Sequence, residues 1–225
     1  MFEDRQAAGT ALAEDVAQLT LDDPVVLALP RGGVPVAVPV ARRLAAPLDV
    51  LIVRKIGLPG MPELAAGALV EGGAPIFNAD VLRRAGVRQD DLDAAVARER
   101  AAIADRRASL NPRPPVPLKG RDAVVVDDGI ATGATMRAAL SGLRARNPAR
   151  VILAVPVAAP ETVARLREEA DAVVCLHMPA GFRAVGQYYD RFDQVADSEA
   201  AALLHAVMSS SPAPGKHQSS KGDGA

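Results

Sequence analysis

The sequence predicts an α/β fold in which a central, mainly parallel sheet is flanked by helices. Short segments that are almost entirely apolar, such as PVVLALP at 24–30 and RVILAVPVA at 150–158, alternate with segments of helical periodicity. Uninterrupted apolar strands are typical of a parallel sheet, because helices cover both of its faces. The composition agrees, since 49% of the 225 residues are hydrophobic and 24% are charged, a globular balance.

The predicted elements follow one another in a regular order. They are a helix at 5–19, a strand at 24–30, a Gly turn leading into a helix at 31–44, a strand at 48–56, a strand–turn–strand unit at 68–78, a charged helical stretch from Asp80 to about Leu110, a strand at 121–128, a helix at 136–147, a strand at 150–158, a helix at 160–170, a strand at 171–178 and a capped helix at 197–207. Gly and Pro residues punctuate these segments, as in the Pro-rich connector at 111–120.

Charge and composition exclude several classes of function. The formal net charge of −1 provides no field that would attract nucleic acid or an acidic membrane. The first residues carry acids where a signal peptide would carry a basic stretch, and no uncharged apolar run approaches the ~20 residues of a membrane span. We therefore expect a cytoplasmic protein. Cys175, the single cysteine, is expected to be a small buried hydrophobic residue rather than a nucleophile.

One stretch, VVVDDGIATGATMRAAL at 124–140, joins a strand to two acids and a Gly/Thr-rich turn. Asp127 and Asp128 stand at the carboxyl end of the strand, where parallel sheets bind ligands. The small residues that follow let backbone N–H groups converge at the start of a helix, which suits a phosphate. Adjacent carboxylates suit the vicinal hydroxyls of a sugar. The stretch thus predicts a ribose 5-phosphate site; the plainer alternative is a turn whose Asp pair caps the helix.

This stretch closely resembles the phosphoribosyl diphosphate signature of the type I phosphoribosyltransferases, in which a strand, two acids and a short spacer precede Thr-Gly-x-Thr. The chain is similar to a bacterial branch of that family that shares PRGGVPVA, VRKIG, PELAAGA and VDDGIATGATM. The resemblance covers most of residues 1–208. It implies the type I phosphoribosyltransferase fold, a central mainly parallel sheet with flanking helices and a small helical hood.

The resemblance also implies roles for the site residues. Asp127 and Asp128 would bind the ribose 2- and 3-hydroxyls. The diphosphate loop would be Arg31, Gly32 and Gly33, with a cis peptide bond at Pro30–Arg31; a plain turn is the alternative. The turn that would bind the 5-phosphate consists of Gly129, Ile130, Ala131, Thr132, Gly133, Ala134 and Thr135.

Two basic residues, Arg54 and Lys55, are implied to be catalytic because they would neutralise charge on the leaving diphosphate. They are expected to leave a strand and enter GLPGMPE at 57–63, a mobile loop that would exclude water from the activated sugar. The alternative is a pair of solvated basic side chains. The resemblance further implies Mg²⁺ as cofactor, chelated mainly by the substrate, so that no cluster of protein metal ligands is expected.

The acceptor pocket is expected to be built by a hood from residues 79–117 and 178–192. Tyr188 and Tyr189 would stack on a flat base; alternatively they pack as local core or at a subunit contact. The 6-oxopurine salvage enzymes of the family carry an Asp where this chain has Ala131, which argues against hypoxanthine, guanine or xanthine and leaves adenine open. His177 is expected to be structural.

The function that the resemblance implies is Mg²⁺-dependent transfer of a 5-phosphoribosyl group from phosphoribosyl diphosphate to an unidentified nitrogen base, with release of diphosphate. The alternative is a regulatory protein that binds phosphoribosyl diphosphate or a nucleotide with little catalysis. The expected partners are phosphoribosyl diphosphate, a small nitrogenous acceptor and a second copy in a homodimer, with no nucleic acid and no membrane. Residues 1–208 would form the phosphoribosyltransferase domain, and the Ser/Gly/Pro-rich residues 209–225 a disordered tail.

Overall fold

The computed structural model describes residues 1–210, and within that range it contains eight strands in two sheets. The strands are β1 (Val25–Ala28), β2 (Leu48–Val50), β3 (Val53–Leu58), β4 (Met61–Val70), β5 (Ile76–Phe77), β6 (Asp122–Val126), β7 (Arg150–Val157) and β8 (Ala172–His177). The helices are α1 (Arg5–Val16), α2 (Gly33–Arg43), α3 (Ala79–Ala85), α4 (Asp93–Leu110), α5 (Ala134–Arg144), α6 (Pro160–Leu166) and α7 (Asp197–Ser210). Short 3-10 helices lie at Gln89–Leu92 and Val185–Tyr188.

The larger sheet has five strands in the order β2-β1-β6-β7-β8. Every neighbouring pair in it is parallel, which confirms the predicted fold class. From β1 the chain proceeds through α2 to β2 on one side, and from β6 it proceeds through α5 to β7 on the other. The loops after β1 and β6 therefore diverge, and the crevice between them is where open α/β sheets bind ligands.

The strands of the larger sheet are buried because helices cover both faces. Alternate residues of each strand serve opposite faces. Val26 and Val124 belong to a core shared with α1, α2, α4 and α7. Leu27 and Val125 belong to a second core shared with α5 and α6. The side chains of β1 and β6 are fully enclosed. This packing on both faces explains why these segments are apolar in the sequence.

The prediction of one strand over 48–56 is wrong, because two strands of different sheets occupy it. β2 ends at Val50, and β3 begins at Val53 in an antiparallel sheet of order β3-β4-β5. Leu51 still donates its N–H to Ala28 O (2.9 Å), so the chain leaves the larger sheet only after that bond. An apolar run indicates that a segment is buried, but it does not indicate to which sheet the strand belongs.

The loop expected at 57–63 is instead the tip of a hairpin. Leu58 ends β3 and Met61 begins β4, so Pro59 and Gly60 alone make the connection. Gly60 has a φ of +77°, a left-handed conformation that glycine adopts without steric cost. The ladder is irregular at Ile56/Gly57 and at Gly57/Leu58, so the Gly/Pro composition marks a bulged hairpin here.

The two stretches expected to form a hood lie in different places. Residues 79–117 contain α3 and α4, and α4 packs against β3, β4 and α7. Leu92, Ile103 and Leu110 of this stretch belong to the main core. Residues 178–192 form a loop with one 3-10 turn, and the N–H of Phe2 donates to Tyr188 O (2.8 Å) there.

The expected tail begins within the last helix. α7 runs to Ser210, so it includes the first two residues of the tail expected at 209–225, and residues 211–225 lie outside the described residues. Over the described part of the chain, no helix combines the length and apolar character that crossing a membrane requires.

Candidate functional site

The candidate site lies in the crevice between the loops that follow β1 and β6. Leu29 donates its N–H to Val126 O (2.9 Å), which aligns the ends of the two strands. The peptide bond Pro30–Arg31 is cis, as the resemblance implied. A Cβ added to Gly32 would lie 2.1 Å from Oδ2 of Asp128. The loop can therefore reach the carboxylate only because residue 32 is glycine, and this contact joins the two halves of the site.

Asp128 is held by Arg5, which the sequence did not identify, and by Tyr189, which it did. Arg5 Nε donates to Asp128 Oδ2 (2.7 Å), and both side chains are nearly buried. Arg5 also lies over the ring of Phe192, 3.8 Å from its centroid, which supports its planar cation. Tyr189 Oη donates to the carbonyl oxygen of Asp128 (2.5 Å). Burial raises the pKa of the Asp128 carboxyl, and Arg5 opposes that rise.

Asp127 presents its half-buried carboxyl group to the crevice. Its Oδ1 accepts the N–H of Asp128 (2.9 Å). Desolvation raises the pKa of Asp127 well above its ordinary value, and the neighbouring charge of Asp128 raises it further. The site therefore holds a carboxyl that is costly to ionise until a ligand supplies hydrogen-bond donors or positive charge.

The loop after Asp128 forms a small cradle at the start of α5. It encloses a cavity of about 140 Å³ lined by Asp127 and by Gly129 through Met136. Gly133 has a φ of +77°, and a Cβ there would lie 2.7 Å from Thr162 Cγ2, so glycine is required for both reasons. The first N–H groups of α5 have no partner within the helix and are available to an anion.

Within this cradle, Ile130 differs from its neighbours. Its N–H donates to Val157 O (3.0 Å), its carbonyl accepts the N–H of Ala159 (3.1 Å), and its side chain is buried. These bonds fix the loop against the end of β7. Ile130 thus anchors the cradle, and the donors that face an anion come from the later residues of the turn.

A second, larger cavity of about 550 Å³ adjoins the cradle. Arg31, Arg54 and Arg106 contribute three guanidinium groups to its wall, and Asp127 and Thr135 line both cavities. Its remaining lining residues are Leu29, Pro30, Leu51, Ile52 and Val53. We call this the cationic wall after its three arginines, whereas the cradle offers backbone N–H and hydroxyl groups. The arrangement suits a ligand with one anionic group at each end.

Arg54 and Lys55 point to different cavities because neighbouring residues of a strand face opposite sides. Arg54 lines the 550 Å³ cavity and pairs with Glu99 of α4 (2.9 Å). Lys55 instead lines a cavity of about 640 Å³ between the small sheet and α5, which it shares with Thr135 and Arg137. The two basic residues, which are adjacent in the sequence, thus face different cavities. Of the two, only Arg54 lies on the cationic wall.

The aromatic segment at 178–192 covers the start of the cradle. A Cβ on Gly129 would lie 2.6 Å from Cγ1 of Val185, so this segment packs directly on the loop. Tyr189 is buried and packs against Phe2 and Phe192. Its ring is therefore part of a local core, which was the alternative to base stacking. Tyr188 is half-buried and stacks on Phe182, with centroids 5.6 Å apart.

Three residues of the site were missed by sequence reasoning. They are Arg5, Arg106 and Asp197, which belong to α1, α4 and α7. No motif surrounds any of them, and only the folded chain brings them to the crevice. His177, which the sequence predicts to be structural, ends β8, and its ring centroid lies 5.1 Å from that of Phe2.

Cys175 is placed as a structural residue rather than as a reactive centre of the crevice. Cys175 is partly buried among apolar residues, its Sγ contacts His177 O at 3.3 Å, and burial raises the pKa of its thiol. Among the residues that the structure describes, no group of three or more His, Cys, Asp and Glu side chains is arranged to hold a metal ion.

Comparison with known proteins identifies the family. Residues 2–190 match the model of the phosphoribosyl transferase domain. Two curated proteins of Mycobacterium tuberculosis, from strains CDC 1551 and H37Rv, are each 50% identical over 206 residues, and both are named putative phosphoribosyl transferase. The match covers 91% of this chain and 46% of each relative, so the chain spans about half the length of the curated relatives it matches.

A solved structure agrees with this assignment over nearly the whole chain. The crystal structure of the protein TT1426 from Thermus thermophilus superposes with a TM-score of 0.80 at 50% sequence identity. The alignment covers 90% of this chain and 97% of that one. The parallel sheet, the two loops at its switch point and the domain match together show that the chain belongs to the phosphoribosyl transferase domain family.

Proposed function

We propose that this chain transfers a 5-phosphoribosyl group from phosphoribosyl diphosphate to a nitrogen base and releases diphosphate. The observation that carries this proposal is that Asp127 and Thr135 line both the cradle and the cationic cavity. Phosphoribosyl diphosphate has a phosphate at one end of its ribose and a diphosphate at the other. A ribose that spans the two cavities brings its hydroxyls to Asp127.

Each part of the site then has one task. The turn from Gly129 to Thr135 binds the 5-phosphate through backbone N–H and hydroxyl groups. Asp127 and Asp128 accept hydrogen bonds from the ribose hydroxyls. Gly32 and Gly33 let the backbone approach the diphosphate. Arg31 and Arg54 neutralise it.

The reaction needs charge stabilisation more than a protein nucleophile. The bond between the anomeric carbon and the diphosphate oxygen breaks through an oxocarbenium-like state, a ring nitrogen of the acceptor supplies the electron pair for the new bond, and the proton of that nitrogen is released to solvent. Cations fixed on the leaving-group side stabilise the departing diphosphate. Arg54 already lies on that wall. We assign Lys55 to the neighbouring cavity, where it raises the local positive potential.

We further propose that Mg²⁺ assists as the substrate's counter-ion. Asp127 is the single carboxylate among the residues that line the cationic cavity, and its oxygen ligand is of the kind that Mg²⁺ prefers. With one protein carboxylate available there, the diphosphate and ribose oxygens would supply most of the ligands. The ion would neutralise negative charge on the leaving group.

The acceptor is proposed to bind beside the segment 178–192, which lies over Gly129. Tyr188 and its stacking partner Phe182 are half-exposed there, whereas the half-exposed ring of Phe192 is covered by Arg5 and Tyr189 positions Asp128. Ala131 in the cradle stands where the 6-oxopurine enzymes carry an Asp, which argues against hypoxanthine, guanine or xanthine and leaves adenine open. We also propose that the enzyme is a cytoplasmic homodimer, on the basis of the family resemblance.

The test is an untargeted assay of the full chain with Mg²⁺, phosphoribosyl diphosphate and a pooled small-molecule extract, read by mass spectrometry. The expected result is diphosphate release together with one new ribose 5-phosphate adduct, whose mass identifies the acceptor. Tight binding of phosphoribosyl diphosphate without any adduct would overturn the transferase proposal in favour of a regulatory binder.

The matching variant is the double substitution Asp127→Asn and Asp128→Asn. Hydrogen bonds to charged groups contribute about 1.5–3 kcal/mol each, so phosphoribosyl diphosphate should bind at least about tenfold more weakly, as measured by calorimetry. The control is the same change at another adjacent pair, Asp90 and Asp91, which is exposed on the surface. Equal affinity in both double variants would contradict the ribose assignment.

A further inference from the structure

The cationic wall of the 550 Å³ cavity contains one arginine that neither a motif nor the family resemblance identified. Arg31 comes from the cis-peptide loop, Arg54 from β3 and Arg106 from α4. These three elements are far apart along the chain, so the cluster exists only in the folded protein. Like charges gathered at one cavity repel one another and require nearby negative charge.

Besides Asp127 in the lining, two carboxylates outside the lining, those of Asp197 and Glu99, supply that negative charge. Asp197, in the first turn of α7, accepts from Arg106 through Oδ2 and from Arg31 Nη1 through Oδ1 (3.4 Å). Arg54 pairs separately with Glu99 of α4. The Asp197 carboxylate thus bridges two arginines of the cavity wall while its own side chain is 46% exposed.

The position of Arg106 is fixed by its neighbour in the sequence. Arg107 is buried, and its guanidinium group bonds Asp49, Glu71 and Val50 O. This network fixes α4 against β2 and the end of β4. Because Arg107 is held on the core side of the helix, the adjacent Arg106 is presented at the edge of the cavity in a defined place.

We propose that Arg106 is a diphosphate-binding residue and that Asp197 occupies its guanidinium group, and that of Arg31, until the diphosphate arrives. This inference rests on the proposed function for the identity of the anion. It assigns the helical stretch 79–117 to the leaving-group side of the site rather than to the acceptor.

The exchange of partners follows from the chemistry of the two anions. A guanidinium group presents a planar set of donors that matches carboxylate and phosphate oxygens alike. Asp197 offers one negative charge and two oxygens, and both oxygens are already in use. A diphosphate carries more charge and more oxygens, so it can bind both arginines and retain acceptors for others. Since the Asp197 pairs are partly exposed, separating them costs little.

The experiment measures the affinity of the full chain for two probes, inorganic diphosphate and phosphoribosyl diphosphate, each with Mg²⁺, by calorimetry. Arg106→Gln should weaken binding of both probes about tenfold or more, since a charge-assisted hydrogen bond is lost. Asp197→Asn should tighten binding about twofold to fivefold, because the competing carboxylate is removed. The matched control is Arg98→Gln, an exposed arginine two turns earlier on α4, which should change neither affinity.

The outcomes separate this inference from the proposed function. If wild-type protein binds phosphoribosyl diphosphate and Arg106→Gln binds it equally well, the inference is overturned while the function stands. If wild-type protein binds diphosphate but not phosphoribosyl diphosphate, and Arg106→Gln weakens that binding, the inference stands and the function fails. Weaker binding by Asp197→Asn would show that Asp197 positions the arginines and would overturn its role as a competing anion. That variant also provides a test if Arg106→Gln fails to fold.

Discussion

At the scale of single residues, the main feature is a pair of adjacent carboxyl groups that the fold places in unequal surroundings. Asp128 has Arg5 as its partner at 2.7 Å. Asp127 has the N–H of Asp128 and faces the two cavities. Burial therefore acts with little opposition on Asp127, whose pKa rises further than that of Asp128. Ionising Asp127 in the folded chain therefore costs free energy, and this carboxyl lies at the point where a sugar would bind.

This cost predicts a pH dependence of stability. A carboxyl whose pKa is raised by folding contributes its full stability below the unfolded pKa and loses it as the pH rises through the folded pKa. Asp127→Asn cannot ionise, so the free energy of unfolding of the variant should exceed that of wild-type protein by an amount that grows from about pH 4 towards neutrality. Urea denaturation of the ligand-free proteins over this range measures the difference.

The control for this measurement is Asp91→Asn. The N–H of Arg88 lowers the pKa of the exposed Asp91, so its contribution to stability is present above the unfolded pKa and is lost as the pH falls. The two variants should therefore deviate from wild-type protein in opposite directions. A constant offset between Asp127→Asn and wild type at all pH values would contradict the assignment of the buried charge.

The residues of the site differ in how far the sequence could predict them. Asp127, Gly32 and Thr135 lie in local sequence motifs, and a Cβ at Gly32 would meet Asp128, so the sequence identified them. Arg5 and Arg106 reach the site across long separations from ordinary helices, and nothing local distinguishes them from other arginines. For Tyr189 the sequence left base stacking and local core packing both open, because it does not show that Phe2 packs against this ring.

At the scale of elements, a very close approach of two backbones occurs where α1 crosses α2. A Cβ added to Gly9 would lie 2.4 Å from the carbonyl oxygen of Val36. The obstacle is backbone rather than a flexible side chain, so it cannot move aside cheaply. This contact sets the position of α1, and α1 carries Arg5 one turn earlier. The distance between the two helices therefore controls the partner of Asp128.

The substitution Gly9→Ala tests this coupling. Alanine would gain up to about 1 kcal/mol from its helix propensity, but overpacking against fixed backbone costs about 1–3 kcal/mol. We expect a net loss of stability and, as α1 moves outwards, weaker binding of phosphoribosyl diphosphate. Thermal denaturation and calorimetry measure the two effects. Thr10→Ala, at the exposed neighbouring position, is the control. A stabilised Gly9→Ala variant with unchanged affinity would contradict the coupling.

The elements themselves were largely predictable where burial dictates their pattern. The strands β1, β6 and β7 are apolar after their first residues because helices cover both faces, and the turn after β6 has the composition of a cradle. The separation of β2 from β3 was not predictable, since Leu51 and Ile52 between them are apolar and no Gly or Pro marks the junction. Asp49 of β2 is a buried acid whose partners lie on α4 and in the connector.

At the scale of the whole molecule, the two sheets and the inserted helix are joined by one buried ion network. Arg107 of α4 bonds Asp49 of β2 (2.5 Å) and Glu71 at the end of β4 (2.7 Å). Asn111 and the N–H of Val116 also donate to Asp49, at 3.0 and 2.9 Å. Because the larger sheet, the small sheet and α4 meet here, the network holds β3 and its Arg54 in register with the crevice.

Removing the cation from this network should destabilise the whole fold. Arg107→Met leaves two buried carboxylates without their partner, a change that typically costs about 3–5 kcal/mol. Urea denaturation of the variant should show this loss in a single transition shared by all spectroscopic probes. Arg98→Met on the exposed side of α4 serves as the control. An unchanged midpoint for Arg107→Met would mean that the network is dispensable.

The contacts of the first residues also determine when the site can form during synthesis. Arg5 bonds Asp128, 123 residues further on, and the carbonyl of Asp193, 188 residues further on. At about 5–20 residues per second, the first helix must wait roughly 10–40 s for the last of these partners to be made. A nascent chain can fold its parallel strands earlier, but the carboxylates have no arginine until α1 docks. The arginine contact of Asp128 is therefore made late, after residues 188–193 have been synthesised.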